Sequence, residues 1–178
     1  MHHAAARLVH YFNSTRRTGF VVTQNVDGFD WASTQGGEVF EIHGNLDYMR
    51  CSQSCTDGHL YPSHIGEMRN ITSIPKCPKC GAICEPHILK HNEDYNEAYF
   101  YSQTVENMLD TADVLIVLGT SLDKRLPKLL EMRAQKRKKL ILECSPEPKV
   151  HYGRVMVNTQ PMLEGFPSIV EKITAGFN

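Results

Sequence analysis

Four of the six cysteines in this 178-residue chain fall into two close pairs. Cys51 and Cys55 form the first pair, and Cys77 and Cys80 form the second. Two close pairs joined by a loop are typical of tetrahedral four-thiolate zinc sites, whose protein ligands leave no open position for catalysis. Gly81 follows the second pair and can adopt the positive φ that a metal-binding turn requires. The spacing therefore predicts one structural zinc ion.

The stretch around these cysteines, residues 46–90, has few apolar runs and is predicted to be a small zinc-binding module. Such a stretch buries too little apolar surface to fold without an added constraint such as a structural metal ion. A structural zinc ion contributes about 10–16 kcal/mol to the folding of a small module. Cys84 is predicted not to be a ligand, because the two pairs already supply four thiolates. Unligated buried cysteines are the alternative interpretation of the pattern.

Polar motifs follow three predicted strands outside this module. Gln-Asn-Val-Asp spans residues 24–27, His43 precedes a glycine, and Gly-Thr-Ser spans residues 119–121. Amides and a carboxylate at the carboxyl end of a strand stand where α/β proteins bind ligands. A histidine is suited to general base catalysis near neutral pH, and backbone amides with hydroxyls can bind a phosphate. Each motif also has a structural alternative, as a turn cap, a buried structural histidine or a simple strand end.

The hydrophobic pattern outside the module alternates strands with helices, which predicts an α/β fold with a parallel sheet. Helical periodicity and strand-like apolar runs define the predicted elements. The predicted helices span residues 4–16, 94–111, 126–137 and 162–174, and the predicted strands span residues 20–23, 39–43, 113–120, 140–142 and 155–157.

Taken in this order, with a four-cysteine insert after His43, the motifs resemble those of the sirtuins, the NAD-dependent protein deacylases. The resemblance begins near residue 18 and extends to the end of the sequence. It includes Cys-Pro-Lys-Cys-Gly over residues 77–81, the strand and loop over 113–122, and Glu-Cys-Ser-Pro-Glu-Pro over 143–148. Because the motifs occur together and in the same order, the resemblance is specific.

The resemblance implies a Rossmann-like NAD-binding domain in two segments, residues 1–45 and 91–178, with the zinc-binding module inserted at 46–90. It also implies a reaction in which the acyl group of a modified lysine is transferred to ADP-ribose and nicotinamide is released. His43 matches the family's catalytic histidine and would take a proton from a ribose hydroxyl. The implied cofactors are NAD and a structural Zn²⁺, and the implied partner is an acylated-lysine protein or peptide.

The predicted site residues follow from matching the family's motifs position by position. The predicted catalytic residues are His43, Asn25 and Asp27. The predicted NAD-binding residues are Gln24, Asn25, Val26, Asp27, Gly119, Thr120, Ser121, Ser145 and Glu147. The predicted metal ligands are Cys51, Cys55, Cys77 and Cys80.

The sequence also departs from the family. A glycine-rich Gly-Ala-Gly-x-Ser phosphate loop and an acidic-arginine stretch, which the family carries in its N-terminal part, do not occur in it. The Rossmann-like sheet is therefore expected to be incomplete on its N-terminal side. His91 and Asn92 stand where the family has Phe-Gly beside the acyl tunnel, and Ser145 replaces an asparagine.

Two explanations of these departures stay open. The sequence is part of a longer, working deacylase, or it is a divergent, shortened relative that keeps the zinc fold and has lost turnover. His43, Asn25 and Asp27 favour the first, since an inactive protein has no chemical need for all three together. Mono-ADP-ribosyl transfer, an activity that sirtuins also show, is a further alternative.

Composition limits the partners and the location. The net charge is −1, so the chain has no excess of basic residues that would indicate nucleic-acid binding. The longest apolar run, residues 114–118, is far shorter than the roughly 18 residues of a membrane helix, so no membrane association is expected. No signal peptide is recognised at the start, and clustered cysteines without one favour an intracellular, reducing location in the cytoplasm, nucleus or mitochondrion.

Overall fold

The computed structural model describes residues 1–34, 38–56, 58–63, 74–150 and 153–176. Residues 57 and 64–73 of the predicted zinc-binding module therefore lie outside the described residues. The chain divides into two compact units. The split unit combines Met1–Gly19 with Ser102–Asn178, and the continuous unit is Phe20–Tyr101. Each unit is described separately below.

Fourteen helices and strands occur in the described residues. In chain order they are α1 (His2–Ser14), β1 (Val21–Thr23), α2 (Phe29–Ser33), β2 (Val39–Glu41), β3 (Gly44–Cys51), β4 (Tyr61–Pro62), β5 (Cys84–Ile88), α3 (Glu97–Phe100), α4 (Ser102–Thr111), β6 (Val114–Leu118), α5 (Arg125–Lys136), β7 (Leu140–Cys144), β8 (Arg154–Asn158) and α6 (Met162–Ala175).

The split unit is built on a three-stranded parallel sheet in the order β6-β7-β8. Helix α5 connects β6 to β7, as a crossover between parallel strands requires. Part of the core lies where α1, α6 and β7 meet, with Leu8, Cys144, Phe166 and Val170 buried together. The parallel sheet predicted from the order of the elements is thereby confirmed.

The continuous unit contains two small sheets. Strands β1 and β2 form a parallel pair, and β4, β3 and β5 form an antiparallel sheet with β3 in the centre. A close backbone approach between β3 and β5 fixes one position as glycine: a Cβ atom at Gly44 would lie 2.0 Å from the carbonyl oxygen of His87. The antiparallel sheet carries Cys51 at the end of β3 and therefore positions part of the cysteine cluster.

The predicted helix over residues 94–111 is wrong as a single element. It is divided into α3 and α4 at Tyr101, whose φ of 54° lies in the left-handed region and ends α3. The Tyr101 ring packs edge-on against Phe40 at 5.5 Å between centroids. A tertiary contact thus accompanies a break that helical periodicity alone does not show. The other predicted helices and strands have counterparts whose ends differ by no more than two residues.

No helix within the described ranges combines the length and the apolar character needed to cross a membrane.

Candidate functional site

The sulfur atoms of Cys51, Cys55, Cys77 and Cys80 lie within 4.8 Å of one another. The Sγ atoms of Cys51 and Cys80 are 3.5 Å apart, and so are those of Cys55 and Cys77. Four sulfurs bound at about 2.3 Å to a tetrahedral zinc ion stand about 3.8 Å from one another. The cluster therefore has the dimensions of a four-thiolate zinc site. Cys84 is buried beside it and is not one of the four.

Two tight turns present these thiolates. In the first, the Ser54 amide donates to the carbonyl oxygen of Cys51 at 3.0 Å. In the second, the Gly81 amide donates to the Cys77 carbonyl oxygen at 2.8 Å, and the Cys77 amide donates to Ala82 at 2.7 Å. Gly81 has a φ of 75°, as the sequence predicts. Backbone hydrogen bonds within these turns thus help to set the positions of the sulfur atoms.

The environment of the cluster gives its thiols different pKa values. Burial alone would raise the pKa of the Cys77 thiol, but hydrogen bonds from the backbone amides of Cys80 and Lys79 lower it to about 6. The neighbouring thiols, Cys80 first, raise the pKa of Cys55 to about 12. A thiolate is the form that binds zinc, so thiols that are still protonated must release their protons when the ion binds.

The predicted catalytic residues of the continuous unit meet at one edge of the β1-β2 pair. Because these strands are parallel, with Thr23 opposite Glu41, their carboxyl ends lie side by side. Residues 24–27 continue from β1, and His43 follows β2. The Ile42 amide donates to the Thr23 carbonyl oxygen at 3.0 Å and holds together the segments that follow β1 and β2. Strand ends of this kind are where α/β proteins bind ligands.

A buried carboxylate shapes the loop after β1. Asp30, 8% exposed, accepts from the Thr23 hydroxyl at 2.7 Å and from the Asn25 side-chain amide at 3.4 Å. The Asn25 backbone amide donates to the Thr23 hydroxyl at 3.1 Å. Asp27 accepts from the backbone amide of Phe29 at 3.1 Å. Asn25 and Asp27 are exposed at the end of this braced loop, where a ligand can reach them.

His43 contacts a tyrosine from a distant part of the sequence. Its Nε2 atom lies 2.7 Å from the hydroxyl oxygen of Tyr95, 52 residues further on. The two ring centroids are 5.9 Å apart. Burial raises the pKa of Tyr95 to about 12, so the phenol keeps its proton at neutral pH. The candidate general base is therefore hydrogen-bonded to a neutral hydroxyl group.

A buried ion pair joins β3 to the segment after β5. Both oxygens of Glu93 accept from the Arg50 guanidinium at 2.6 Å, and Arg50 is only 4% exposed. The guanidinium also lies over the rings of Tyr99 and Phe100, at 5.2 and 5.5 Å from their centroids. His87 stacks on Phe100 at 5.6 Å with an interplanar angle of 6°. Charge pairing and aromatic contact together hold the segment after β5 against the sheet.

The predicted NAD-binding residues of the split unit also lie at the carboxyl edge of a parallel sheet. Residues 119–121 follow β6 and residues 145–147 follow β7, with Leu118 opposite Cys144 at the strand ends. The Ser145 hydroxyl donates to the Glu147 carbonyl oxygen at 3.0 Å and accepts from the Glu147 amide at 3.2 Å. Ser145 therefore shapes its own loop, while residues 119 and 121 are exposed.

The predicted site residues thus form three groups. His43 and residues 24–27 come together in the continuous unit, residues 119–121 and 145–147 come together in the split unit, and the four cysteines form a separate cluster. His91 and Asn92, which replace the family's Phe-Gly, are both exposed. The apolar wall expected of an acyl tunnel is therefore not supplied by these two side chains.

Sequence reasoning missed three side chains around the candidate active site. Asp30 lies three residues after the Gln-Asn-Val-Asp motif of residues 24–27, so its place in the sequence gave a local indication of its role. Arg50 offered none, because its partner Glu93 is 43 residues away. Tyr95 is likewise found only in three dimensions.

Comparisons with known proteins agree with this geometry. The profile of the Sir2 family matches residues 1–125, and the chain belongs to that family. It is 34% identical over 131 residues to an NAD-dependent protein deacylase of Leptospira interrogans, covering 72% of this chain and 49% of that protein. It is 33% identical over 152 residues to an NAD-dependent protein deacetylase of Oceanobacillus iheyensis, covering 84% and 59%. The chain therefore spans 49–59% of the length of these relatives.

Solved structures show the same fold. A Sir2 homologue in complex with NAD has a TM-score of 0.74 at 21% identity, over 97% of this chain and 63% of that one. A Sir2 protein with a p53 peptide and NAD⁺ has a TM-score of 0.73 at 19% identity, over 94% of this chain and 66% of that one. The α/β fold class predicted from the sequence is confirmed by these likenesses and by the cysteine cluster.

Proposed function

We propose that this chain carries the catalytic histidine and the zinc-stapled part of an NAD-dependent protein lysine deacylase. The observation that supports this most directly is the meeting of residues 24–27 with His43 at one edge of the β1-β2 pair. Membership of the Sir2 family agrees with it. The substrate would be a protein or peptide with an acylated lysine, and the products would be the free lysine, nicotinamide and O-acyl-ADP-ribose.

The residues at the two sheet edges have a chemistry that suits NAD. Asn25 and Asp27 offer an amide and a carboxylate to the nicotinamide and its ribose, together with Gln24 and Val26 of the same loop. Residues 119–121, with Ser145 and Glu147, offer hydroxyls and backbone groups to the adenosine side. NAD supplies a ribose carbon that can exchange nicotinamide for an acyl oxygen. His43 would accept a proton from a ribose hydroxyl, a task for which a neutral imidazole is suited.

The proposed metal ligands, Cys51, Cys55, Cys77 and Cys80, would have no part in that chemistry. Four thiolates complete the coordination of zinc and leave no position for water or substrate. Thiols that must stay reduced to bind zinc also support the proposal of an intracellular location. We expect neither nucleic-acid nor membrane binding, since the net charge is −1 and supplies no basic surface excess.

His43→Ala tests the proposal. Incubation of the full natural protein with NAD and an acetylated peptide should release nicotinamide, and this substitution should lower the rate by about 10²–10⁴-fold, the usual contribution of a general base. His10→Ala, at an exposed position on α1, is the matched control and should leave the rate unchanged. Equal rates for His43→Ala and the unsubstituted protein would contradict the assignment.

Two other outcomes would identify other functions. Transfer of a label from the adenine of NAD to protein, without release of a free acyl-ADP-ribose, would indicate mono-ADP-ribosyl transfer. Stoichiometric zinc without calorimetrically detectable NAD binding would indicate an interaction module that has lost catalysis. Either result would reject the deacylase proposal.

A further inference from the structure

The Tyr95 hydroxyl, 2.7 Å from Nε2 of His43, lies close enough for a strong hydrogen bond. We propose that Tyr95 is a positioning residue for His43, whose hydroxyl fixes the imidazole plane and selects the tautomer with an unprotonated Nε2. This inference rests on the proposed function, because it assigns a role in the reaction of His43. The contact itself is independent of any reaction.

The proposal requires the Tyr95 hydroxyl to be the donor of this hydrogen bond, a role that a neutral phenol can take. A phenol with its pKa raised to about 12 by burial is an O–H group at neutral pH. A neutral imidazole has one nitrogen that donates and one that accepts. When Tyr95 donates, Nε2 is the acceptor and the ring proton is on Nδ1. In that tautomer Nε2 carries the lone pair that a base needs, so the hydrogen bond prepares His43 to accept a proton there.

The segment that carries Tyr95 is held at both ends. Before it, the Leu89 amide donates to the His43 carbonyl oxygen at 2.8 Å, which ties the segment to the histidine's own backbone. After it, the Asn96 side chain accepts from the Tyr99 amide at 2.9 Å and caps α3. The Tyr95 ring also packs edge-on against Phe100, with 6.3 Å between centroids. Tyr95 therefore has a defined place rather than a chance contact.

The Arg50–Glu93 ion pair adds a third restraint. Glu93 precedes Tyr95 by two residues and also accepts from the Lys90 backbone amide at 3.1 Å. Because Arg50 is buried on β3 and binds both Glu93 oxygens, the turn before Tyr95 is joined to the sheet. The hydroxyl is thus positioned by backbone bonds, a cap and a charge pair together. Nothing in this arrangement requires NAD or substrate.

A single lone pair on Nε2 gives the contact a consequence for the reaction. The ribose hydroxyl that donates its proton to Nε2 must take the place of the Tyr95 hydroxyl there. Until that exchange, the Tyr95 hydroxyl keeps His43 in the tautomer that can accept a proton at Nε2. Its loss should therefore lower the fraction of His43 in that tautomer when the ribose hydroxyl arrives, and it should not weaken NAD binding. One hydrogen bond of ordinary strength corresponds to about a three- to tenfold decrease in kcat.

Tyr95→Phe removes the hydroxyl and keeps the ring. Imidazole nitrogen NMR of the zinc-loaded, NAD-free protein, above the ordinary histidine pKa of about 6.5, reports the tautomer directly. The signals of His43 are assigned by their loss in His43→Ala. We expect an unprotonated Nε2 in the unsubstituted protein and a shift toward the other tautomer in Tyr95→Phe. We also expect Tyr95→Phe to have a kcat for nicotinamide release about three- to tenfold below that of the unsubstituted protein, with no increase in KM for NAD.

Tyr99→Phe is the matched control. It removes a phenol hydroxyl from the same aromatic group, where that hydroxyl donates to the Thr56 carbonyl oxygen at 3.0 Å, and it should leave the His43 signals unchanged. A protonated Nε2 in the unsubstituted protein overturns the proposal, whether or not Tyr95→Phe folds. An altered tautomer with an unchanged kcat overturns the role in the reaction. If no variant releases nicotinamide while the tautomer shifts as expected, the proposed function fails and the His43–Tyr95 contact stands.

Discussion

At the scale of single residues, His87 is a buried imidazole that resists protonation. It is 3% exposed, and burial, followed by the nearby Arg50 charge, lowers its pKa to about 4. Its Nδ1 atom has no hydrogen-bond partner among the residues that the structure describes. An unfolded chain binds a proton at an ordinary histidine pKa of about 6.5, whereas the folded chain does not. Protonation therefore favours the unfolded state between these two values.

His87→Phe should remove this acid sensitivity. In the unsubstituted protein the histidine's share of stability is complete above about pH 6.5 and is lost as the pH falls toward about 4, with an upper limit of about 3 kcal/mol. Denaturant unfolding at fixed zinc, across that range, measures the free energy of unfolding of both proteins. Their difference should change with pH in that window. His91→Phe, at an exposed position, should show no such change, and parallel pH curves for His87→Phe would contradict the prediction.

Single residues differ in how well the sequence identifies them. The four cysteines were found because metal-binding turns are local, and spacing along the chain reports their geometry. Tyr95 was not found, since its contact with His43 joins positions 52 residues apart and depends on the turn held by Glu93. Spacing thus predicts ligands within a turn, but it does not predict which distant side chain will orient a base.

At the scale of elements, the approach of β3 to β5 depends on the missing side chain at Gly44. Gly44→Ala should lower the free energy of unfolding by about 4 kcal/mol or more, because the new Cβ atom would lie 2.0 Å from the His87 carbonyl oxygen at a φ of 87°. Neither backbone can give way without loss of strand pairing. Denaturant unfolding of the zinc-loaded protein measures the change.

Gly81→Ala is the control that separates the cost of a positive φ from the cost of a steric clash with the neighbouring strand. Gly81 also has a positive φ, 75°, but a Cβ atom there would meet nothing within 4 Å. Its substitution should cost only about 1–2 kcal/mol, the usual penalty of the left-handed conformation. Equal losses for the two variants would mean that the β3-β5 approach is not the cause.

Elements were predicted well where one pattern dominates. The apolar β6 and the amphipathic α6 were recognised within two residues of their ends. The division between α3 and α4 was missed because Tyr101, Val105 and Leu109 keep helical spacing across it. The left-handed backbone of Tyr101 is accompanied by its ring contact with Phe40, from β2, which local periodicity cannot report.

At the scale of the whole molecule, zinc should stabilise one unit and not the other. Chelation should remove hydrogen-exchange protection from β3 and β5, since the cluster joins the end of β3 to the turn before β5, while β7 should stay protected. A structural zinc contributes about 10–16 kcal/mol, which is comparable to or greater than the roughly 5–15 kcal/mol by which a typical domain is stable. Hydrogen exchange with mass spectrometry, before and after chelation, checks this.

Substitutions give the same test without a chelator. Cys77→Ser should lower the bound zinc well below one ion per chain, whereas Cys84→Ser, at a buried neighbour outside the four ligands, should keep it. Zinc content and exchange are measured on the same samples. Simultaneous loss of protection in β7 would contradict separate stabilisation of the two units.

The contact between α1 and α6 has a consequence for folding during synthesis, because the two helices lie near opposite ends of the sequence. Leu8 of α1 packs with Phe166 and Val170 of α6, and Arg7 donates to Thr174, 167 positions further along the chain. On the ribosome, α1 therefore emerges long before the helix that shields its apolar side, whereas the strands of the continuous unit pair within residues 20–101. Contacts so distant in sequence form last and leave apolar surface open to association in the meantime. A nascent chain that stalls before residue 162 would carry an exposed α1 and would be a natural target for chaperones.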